Sequence, residues 1–234
     1  MKSLPVYCIK TGARSSPLSK AQFEEVQGTL RSSLILDPVW AASPGDRDKQ
    51  TSLRALDKTD FFTRDLDLML LNGGIRIAIH SAKDLPDPIP DGLAIVALTA
   101  CIDPRDSLVF RERESLHTLP SGAVIATSSQ RREEIVKQIR PDFRVVDMRG
   151  TIQERIAKLH TGEADGVIIA EAALIRLKLT HLNRIFMPGE TAPMQGKLAI
   201  IGRQGDYEIS KLFRMHQMRD DYFTILDYVT ASIQ

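Results

Sequence analysis

Short apolar runs alternate with amphipathic stretches along most of this sequence, and this alternation constrains the fold more than any other feature. Runs such as Leu93–Thr99 and Gly166–Ile169 predict buried strands, and stretches such as Ser16–Arg31 and Ser128–Arg140 predict helices. Further predicted strands are Val6–Thr11, Ile75–Ile79, Ala123–Thr127, Arg144–Met148 and Leu198–Gly202, and further predicted helices are Phe62–Leu71, Thr151–Thr161 and Glu171–Leu177. Strands that alternate with helices are typical of an α/β fold, so we expect mostly parallel sheets.

Two breaks in this alternation predict the domain organisation. The first is Asp103-Pro104-Arg105-Asp106, and the second is Pro188-Gly189. We expect residues 1–102 with 190–206 to form one domain, residues 103–189 a second, and residues 207–234 a helical tail. A chain that crosses twice between two lobes forms a hinged cleft, and ligands of α/β folds bind at the carboxyl ends of strands.

Composition and charge exclude several classes of function. The net charge is +1, so no global field favours nucleic acid or an anionic membrane. Two cysteines, Cys8 and Cys101, are too few for a disulfide scaffold or a four-ligand zinc site, and we expect both to be buried. We expect no metal, and the absence of a signal-peptide pattern or a long apolar run favours the cytoplasm.

Polar residues follow the predicted strand Ile75–Ile79, at the position where an α/β fold places its cleft. They are His80, Ser81, Lys83 and Asp84, after which Pro86 prevents regular continuation. These residues are candidates for a site. The alternative is an ordinary solvated turn.

Arginines occupy several corners where a strand passes into a helix. Arg131 and Arg132 follow Thr127-Ser128-Ser129, whose hydroxyl side chains suit a helix N-cap. Cations at a helix N-terminus oppose the helix dipole, so the pair predicts an anion shared with backbone N–H groups, unless both side chains extend into solvent. Arg14 and Arg149 lie at similar corners, and the set indicates a cleft that binds several carboxylates or phosphates.

These residues resemble the porphobilinogen deaminase (hydroxymethylbilane synthase) family. The family motif His-Ser-x-Lys-Asp-x-Pro is similar to His80–Pro86, and Thr-Ser-Ser-x-Arg-Arg to Thr127–Arg132. Further similar segments are Ala13–Leu18, Asp103–Asp106, Arg149-Gly150 with Arg155, and Asp165–Leu177 with Arg176. The order and spacing of the motifs agree from about Val6 to Asp206.

The resemblance implies a fold like that of periplasmic binding proteins and a specific reaction. Family members join four porphobilinogen units, with loss of ammonia, into hydroxymethylbilane on a dipyrromethane cofactor. It also implies a monomer that binds pyrrole carboxylates and no nucleic acid or membrane. Asp84 would then stabilise the cationic intermediate and move protons. Residues implied to hold cofactor and substrate carboxylates are Arg14, Ser81, Lys83, Ser129, Arg131, Arg132, Arg149, Arg155 and Arg176.

The sequence departs from the family in its attachment thiol. The family's attachment cysteine lies in a third domain that we do not find here, and no cysteine follows Cys101. Cys101 is therefore the candidate attachment residue, although we expect a cofactor without a covalent bond. An alternative function is a non-catalytic two-lobed protein that binds a polycarboxylate or oxyanion. Asp84 and Lys83 favour the enzyme, since pure anion binding gains nothing from a carboxylate.

Overall fold

The structure is a computed structural model that describes residues 6–43, 59–218 and 221–229. The described residues form two compact units. The first unit holds residues 6–43, 59–102, 197–218 and 221–229, and the second unit holds residues 103–196. No helix in these described ranges is long and apolar enough to cross a membrane.

Strands and helices alternate in both units. The first unit begins with β1 (Tyr7–Arg14), α1 (Pro17–Gly28), β2 (Leu34–Ala41), α2 (Arg64–Leu71), β3 (Ile77–Ser81) and β4 (Leu93–Thr99). The second unit contains β5 (Asp106–Phe110), β6 (Val124–Ala126), α3 (Gln130–Ile139), β7 (Arg144–Val146), α4 (Ile152–His160), β8 (Gly166–Ala170), α5 (Glu171–Arg176) and β9 (Arg184–Phe186). The chain returns to the first unit with β10 (Leu198–Arg203), α6 (Tyr207–His216) and β11 (Phe223–Val229).

The sheet of the first unit is mixed, with strand order β11-β4-β10-β3-β1-β2. Strand β1 runs parallel to β2 and β3, whereas β10 runs antiparallel to both β3 and β4. Strands β3 and β4 therefore run in the same direction. As a result, the carboxyl ends of β1, β3 and β4 meet at one edge of this sheet.

The sheet of the second unit has the order β7-β6-β8-β5-β9. Strands β7 and β8 run parallel to β6, and β5 runs antiparallel to β8 and β9. Because β5 is reversed, its first residue, Asp106, lies opposite Ala170 at the carboxyl end of β8. The α/β fold class is thus confirmed, and both sheets are mixed, because β10 and β11 are reversed in the first sheet and β5 is reversed in the second.

Each unit has an apolar core between its sheet and its helices. In the first unit Ile77, Ile200 and Phe213 are fully buried, and α1 and α6 contribute to the same cluster. In the second unit Ile125 and Ile168 are fully buried and lie in one cluster with residues of α3. Burial of such side chains stabilises a fold by about 1.5–3 kcal/mol each, so the strands that carry the site are anchored firmly.

The structure corrects two expectations from the sequence. In the described part of the expected helical tail, α6 is the only helix, and Phe223–Val229 forms strand β11 against β4. Phe223 is buried and packs against Phe213, whereas Thr224 is exposed, an alternation that suits a strand. The expectation that both cysteines are buried is also wrong.

Both cysteines are exposed and outside any disulfide. In β1 the side chain of Ile9 occupies the core face, so Cys8 points to the opposite face. Cys101 lies beyond the last residue of β4, after the strand has left the core.

Candidate functional site

Several predicted residues of the first unit lie at the carboxyl edge of its sheet. Arg14 ends β1 and Ser81 ends β3, and the parallel register of these neighbours pairs Gly12 with Ala78. A single turn of 3₁₀ helix, Ala82–Asp84, follows β3 directly and carries the half-buried Lys83 and Asp84. The sheet thus brings Arg14 to the edge where the His80–Asp84 segment begins.

His80 is a buried neutral imidazole beside Arg14. Burial, reinforced by the positive charge of Arg14, lowers the pKa of His80 to about 4. Its Nε2 atom is buried and has no hydrogen-bond partner within the described residues. The charge of Arg14 therefore acts on this corner, and Arg14 stacks 4.7 Å from the centre of the Phe62 ring.

The hydroxyl group of Ser81 is oriented by a residue that the sequence did not single out. Gln22, buried on α1, donates a hydrogen bond from Nε2 to Ser81 Oγ at 2.8 Å. Because the oxygen accepts this bond, the hydroxyl proton is available to another acceptor. The signal that could have identified Gln22 is a polar residue on the apolar side of α1, directly before Phe23 and one helical turn before Val26.

Asp106 is the centre of an ion-pair network in the second unit. Its Oδ2 accepts a bond from Arg131 Nη2 at 2.6 Å, and its Oδ1 accepts one from Arg132 Nη2 at 2.6 Å. Gln195 Nε2 also donates to Oδ1, at 2.8 Å. Burial alone would raise the pKa of Asp106, but the charge of Arg132 and these hydrogen bonds lower it to about 2. Asp106 is therefore ionised at any physiological pH.

Arg131 and Arg132 thus do not extend into solvent, and an internal carboxylate is their first partner. Arg131 also donates to the carbonyl of Glu190, and Arg132 donates weakly to that of Ile168 at 3.4 Å. The Nε atom of Arg132 is buried and lacks a hydrogen-bond partner within the described part of the chain. Buried donors of a charged group are costly to leave unpaired, so this atom marks a polar group that the described residues do not satisfy.

The corner between β7 and α4 carries the next two arginines. Gly150 has a φ of 116°, and a Cβ atom on it would lie 2.7 Å from Glu154 Oε2, so glycine is required there. Thr151 and Glu154 form a capping box, with bonds of 2.7 and 3.2 Å, that starts α4. Arg149 precedes this turn, and Arg155 Nε donates to the carbonyl of Gly150 at 2.9 Å.

Positive charge is concentrated around Arg155. Burial is the main cause that lowers the pKa of Arg155 to about 10, and the charges of Arg132 and Arg149 lower it further. The carboxylates of Asp147 and Glu154 oppose this effect without cancelling it. Arg132, Arg149 and Arg155 therefore form a cationic cluster that repels itself, which is the arrangement expected of a site for an anion.

Two further predicted ligands hold structural contacts of their own. Ser129 is the N-cap of α3, and its Oγ accepts a bond from the backbone of Arg132 at 3.5 Å. Arg176, in the last turn of α5, donates from Nη2 to the carbonyl of Gly196 at 3.0 Å. These bonds fix both side chains without using all their donors.

Cys101 lies at the same edge of the first unit as Ser81. Ala199 of β10 is paired with His80 on one side and with Leu98 on the other, so β3 and β4 end level with each other. Cys101 is the second residue after the end of β4, and it is exposed.

Comparison with known proteins identifies the family. The sequence model described as "Porphobilinogen deaminase, dipyromethane cofactor binding domain" matches residues 9–211. The chain belongs to the porphobilinogen deaminase family. A relative named probable porphobilinogen deaminase, from Chlamydia pneumoniae, is 36% identical over 208 residues, covering 88% of each chain. The porphobilinogen deaminase of Rubrobacter xylanophilus is 37% identical over 206 residues, 87% of this chain and 68% of that protein.

Solved structures support the fold at low sequence identity. Lipoprotein Tp32 of Treponema pallidum has a TM-score of 0.50 at 14% identity, covering 88% of this chain and 89% of that one. A probable amino-acid ABC transporter extracellular-binding protein of Bacillus subtilis, YtmK, has a TM-score of 0.50 at 12% identity, covering 90% of each chain. These likenesses show an α/β fold of the periplasmic-binding-protein kind.

The cofactor named for this family is dipyrromethane, and the residues of the second unit fit it. Each pyrrole of such a cofactor carries an acetate and a propionate. The unpartnered buried Nε of Arg132 and the self-repelling cluster of Arg132, Arg149 and Arg155 both call for carboxylates. The donor set therefore suits a polycarboxylated pyrrole.

Proposed function

We propose that this porphobilinogen deaminase chain condenses four porphobilinogen units, with release of ammonia, to hydroxymethylbilane. The observation that carries the proposal is the grouping of Arg132, Arg149 and Arg155 at one corner of the second unit, where the charges of the first two add to burial in lowering the pKa of the third. Every pyrrole added in this reaction brings two more carboxylates. A growing chain of such rings brings carboxylates that guanidinium groups bind.

Within this proposal the two units have different tasks. In the second unit Arg131, Arg132, Arg149, Arg155 and Arg176 bind carboxylates of cofactor and substrate, with Ser129 as a further donor. In the first unit Arg14, Ser81 and Lys83 bind carboxylates near the reacting ring. Dipyrromethane supplies the acceptor on which the first ring is added.

Asp84 is the proposed catalytic residue. Loss of ammonia from porphobilinogen leaves a cation, and a carboxylate close to a developing cation lowers the barrier to its formation. The same carboxylate can accept and return the proton of a pyrrole nitrogen. Asp84 stands on the 3₁₀ turn after β3, beside Lys83, where neither core packing nor a helix requires a carboxylate.

We further propose that the protein acts as a cytoplasmic monomer that binds pyrrole carboxylates and not nucleic acid. The net charge of +1 supports the last point, since nucleic-acid binding relies on a large positive surface. Light scattering at micromolar concentration tests the oligomeric state, and a mass of twice the chain would contradict it.

The experiment for the function is Asp84→Asn, with Asp91→Asn as the matched control on an exposed residue nearby. Asn keeps the shape of the side chain but not its charge. We expect product formation from porphobilinogen to fall by about 10²–10³-fold in Asp84→Asn and to remain unchanged in Asp91→Asn. Circular dichroism checks the fold of both variants.

Two results would count against the proposal. Parent-like turnover by a folded Asp84→Asn would remove Asp84 from the mechanism. A parent protein that binds porphobilinogen tightly but never forms product would favour the non-catalytic binding protein instead.

A further inference from the structure

Asp106 presents a physical problem in a site for anions. It places a buried negative charge, 1% exposed, against two of the arginines proposed to bind carboxylates. Its charge weakens the attraction of Arg131 and Arg132 for any other anion. A role for this carboxylate must therefore outweigh its electrostatic cost.

The geometry points to Asp106 as a positioning residue, which holds Arg131 and Arg132 so that their remaining N–H groups face the carboxylates of the pyrrole ligand. This inference rests on the proposed function. One oxygen of Asp106 binds each guanidinium, so a single carboxylate sets the spacing and the relative orientation of the two groups. Gln195, also buried, donates to the same carboxylate and fixes it in turn.

The arginines on Asp106 retain donors that an internal ion pair does not require. Within the described residues, the hydrogen bonds of Arg131 to Glu190 and Asp106 use two of the five N–H groups that a guanidinium carries. Arg132 likewise bonds through Nη1 and Nη2 only, while its buried Nε has no partner within the described residues. Both guanidinium groups are thus immobilised and incompletely satisfied, which is the condition of a preorganised binding group.

A second buried carboxylate in the same unit shows the contrast. Glu171 binds Arg184 with both oxygens, at 2.9 and 2.7 Å, and Arg184 Nη1 also donates to the carbonyls of Thr180 and Leu182. Four donor contacts satisfy Arg184 almost completely, as expected of a purely structural ion pair. Glu171 is 2% exposed, so its burial matches that of Asp106.

These two carboxylates provide a matched pair of variants, Asp106→Asn and Glu171→Gln. Each replaces a buried carboxylate by its amide, so both should lower the unfolding temperature. Simple electrostatics predicts that Asp106→Asn tightens the binding of an anion, because the site becomes more positive. A positioning role predicts weaker binding instead. Without the carboxylate, the side chains of Arg131 and Arg132 regain rotamer freedom and lose their fixed spacing and orientation.

The measurement is the dissociation constant for porphobilinogen, by calorimetry on the full-length protein with its cofactor. We expect Asp106→Asn to weaken binding at least about tenfold, equivalent to about 1.4 kcal/mol, and Glu171→Gln to leave it unchanged. Because Asp106 is ionised far below neutral pH, the difference should be constant from pH 6 to pH 9. Unchanged or tighter binding in folded Asp106→Asn would overturn the positioning role.

A second variant keeps the test decisive if Asp106→Asn fails to fold. Asp106→Glu retains the charge and moves the carboxylate by one methylene. A positioning role predicts that this variant binds porphobilinogen more weakly, whereas an effect of charge alone predicts unchanged binding. Parent-like affinity in Asp106→Glu would then refute the inference. A parent that binds porphobilinogen without turnover would overturn the proposed function alone, whereas unaffected variants of an active parent would overturn positioning alone. A parent that does not bind porphobilinogen would overturn both.

Discussion

Replacing Arg155 by methionine should make the ligand-free protein more stable while it weakens ligand binding. Arg155 is charged at neutral pH in both the folded and the unfolded chain. The lowering of its pKa therefore measures the free-energy cost of holding that charge in the folded state. Lowering the pKa of Arg155 from its ordinary value to about 10 corresponds to a free-energy cost of about 3 kcal/mol. Loss of the hydrogen bond to Gly150 costs about 1 kcal/mol.

The expected net effect in Arg155→Met is about 1–2 kcal/mol of added stability after allowance for partial solvent screening. Its sign follows from linkage. A base whose pKa is lower in the folded state than in the unfolded state destabilises the fold at every pH below the folded value. For Arg155 this penalty fades as the pH rises above about 10. The gain should therefore be the same at pH 6 and at pH 9.

Urea unfolding with and without porphobilinogen measures both effects. Arg144→Met, at an exposed cation of β7, is the matched control and should change neither quantity by more than about 0.5 kcal/mol. Ligand should stabilise the parent more than Arg155→Met. If ligand-free Arg155→Met is less stable than the parent by 1 kcal/mol or more, Arg155 is a structural residue and the reasoning fails.

Three further predictions follow from single groups. Asp67, buried and bonded to Thr63 Oγ1 at 2.6 Å, has its pKa raised to about 6, mainly by burial. The folded state therefore holds this proton more tightly, so stability falls by up to about 3 kcal/mol as pH rises from 4 to 6. Asp67→Asn should flatten that slope in urea titrations at pH 4.5 and 7.5. The denatured protein should show its bare polypeptide mass; an adduct of two pyrrole units that Cys101→Ser abolishes would make Cys101 the attachment site. Arg149→Leu and Arg131→Leu should both weaken porphobilinogen binding, and Arg131→Leu should also lower the unfolding temperature because it breaks the ion pair with Asp106; parent-like thermal stability of Arg131→Leu would contradict this.

The elements with strong periodicity could be predicted from the sequence, because their local pattern matches their burial. Leu93–Thr99 is a strand at the predicted residues, and Glu171 begins a helix as predicted. The strands that the sequence did not predict depend on distant partners. Leu34–Ala41 contains Asp37 and Pro38, which favour a loop, yet it is an edge strand, where a proline is tolerated.

Strand β5 was missed for a different reason, and it decides the chemistry of the second unit. Asp106 follows Pro104-Arg105, a combination that predicts an interruption of regular secondary structure. In the structure, however, the next four residues are all buried. Its strand pairs with β8 and β9, which lie some sixty to eighty positions later in the chain. Only this non-local, antiparallel pairing brings Asp106 to the carboxyl edge of the sheet.

The position of Asp106 also resolves the alternatives that the sequence left open for Arg131 and Arg132. Two cations in the first turn of α3 oppose the helix dipole, so they need an anion, and the sequence offered either a ligand or solvent counter-ions. The structure supplies a carboxylate of the protein itself, which balances one of the two charges at 2.6 Å and leaves the second unbalanced. Burial is the main cause that lowers the pKa of Arg155, and the charges of Arg132 and Arg149 lower it further, so the three guanidinium groups act on one another. Affinity for a polycarboxylate should therefore depend most on the cluster of Arg132, Arg149 and Arg155, and orientation of the ligand on the pair held by Asp106.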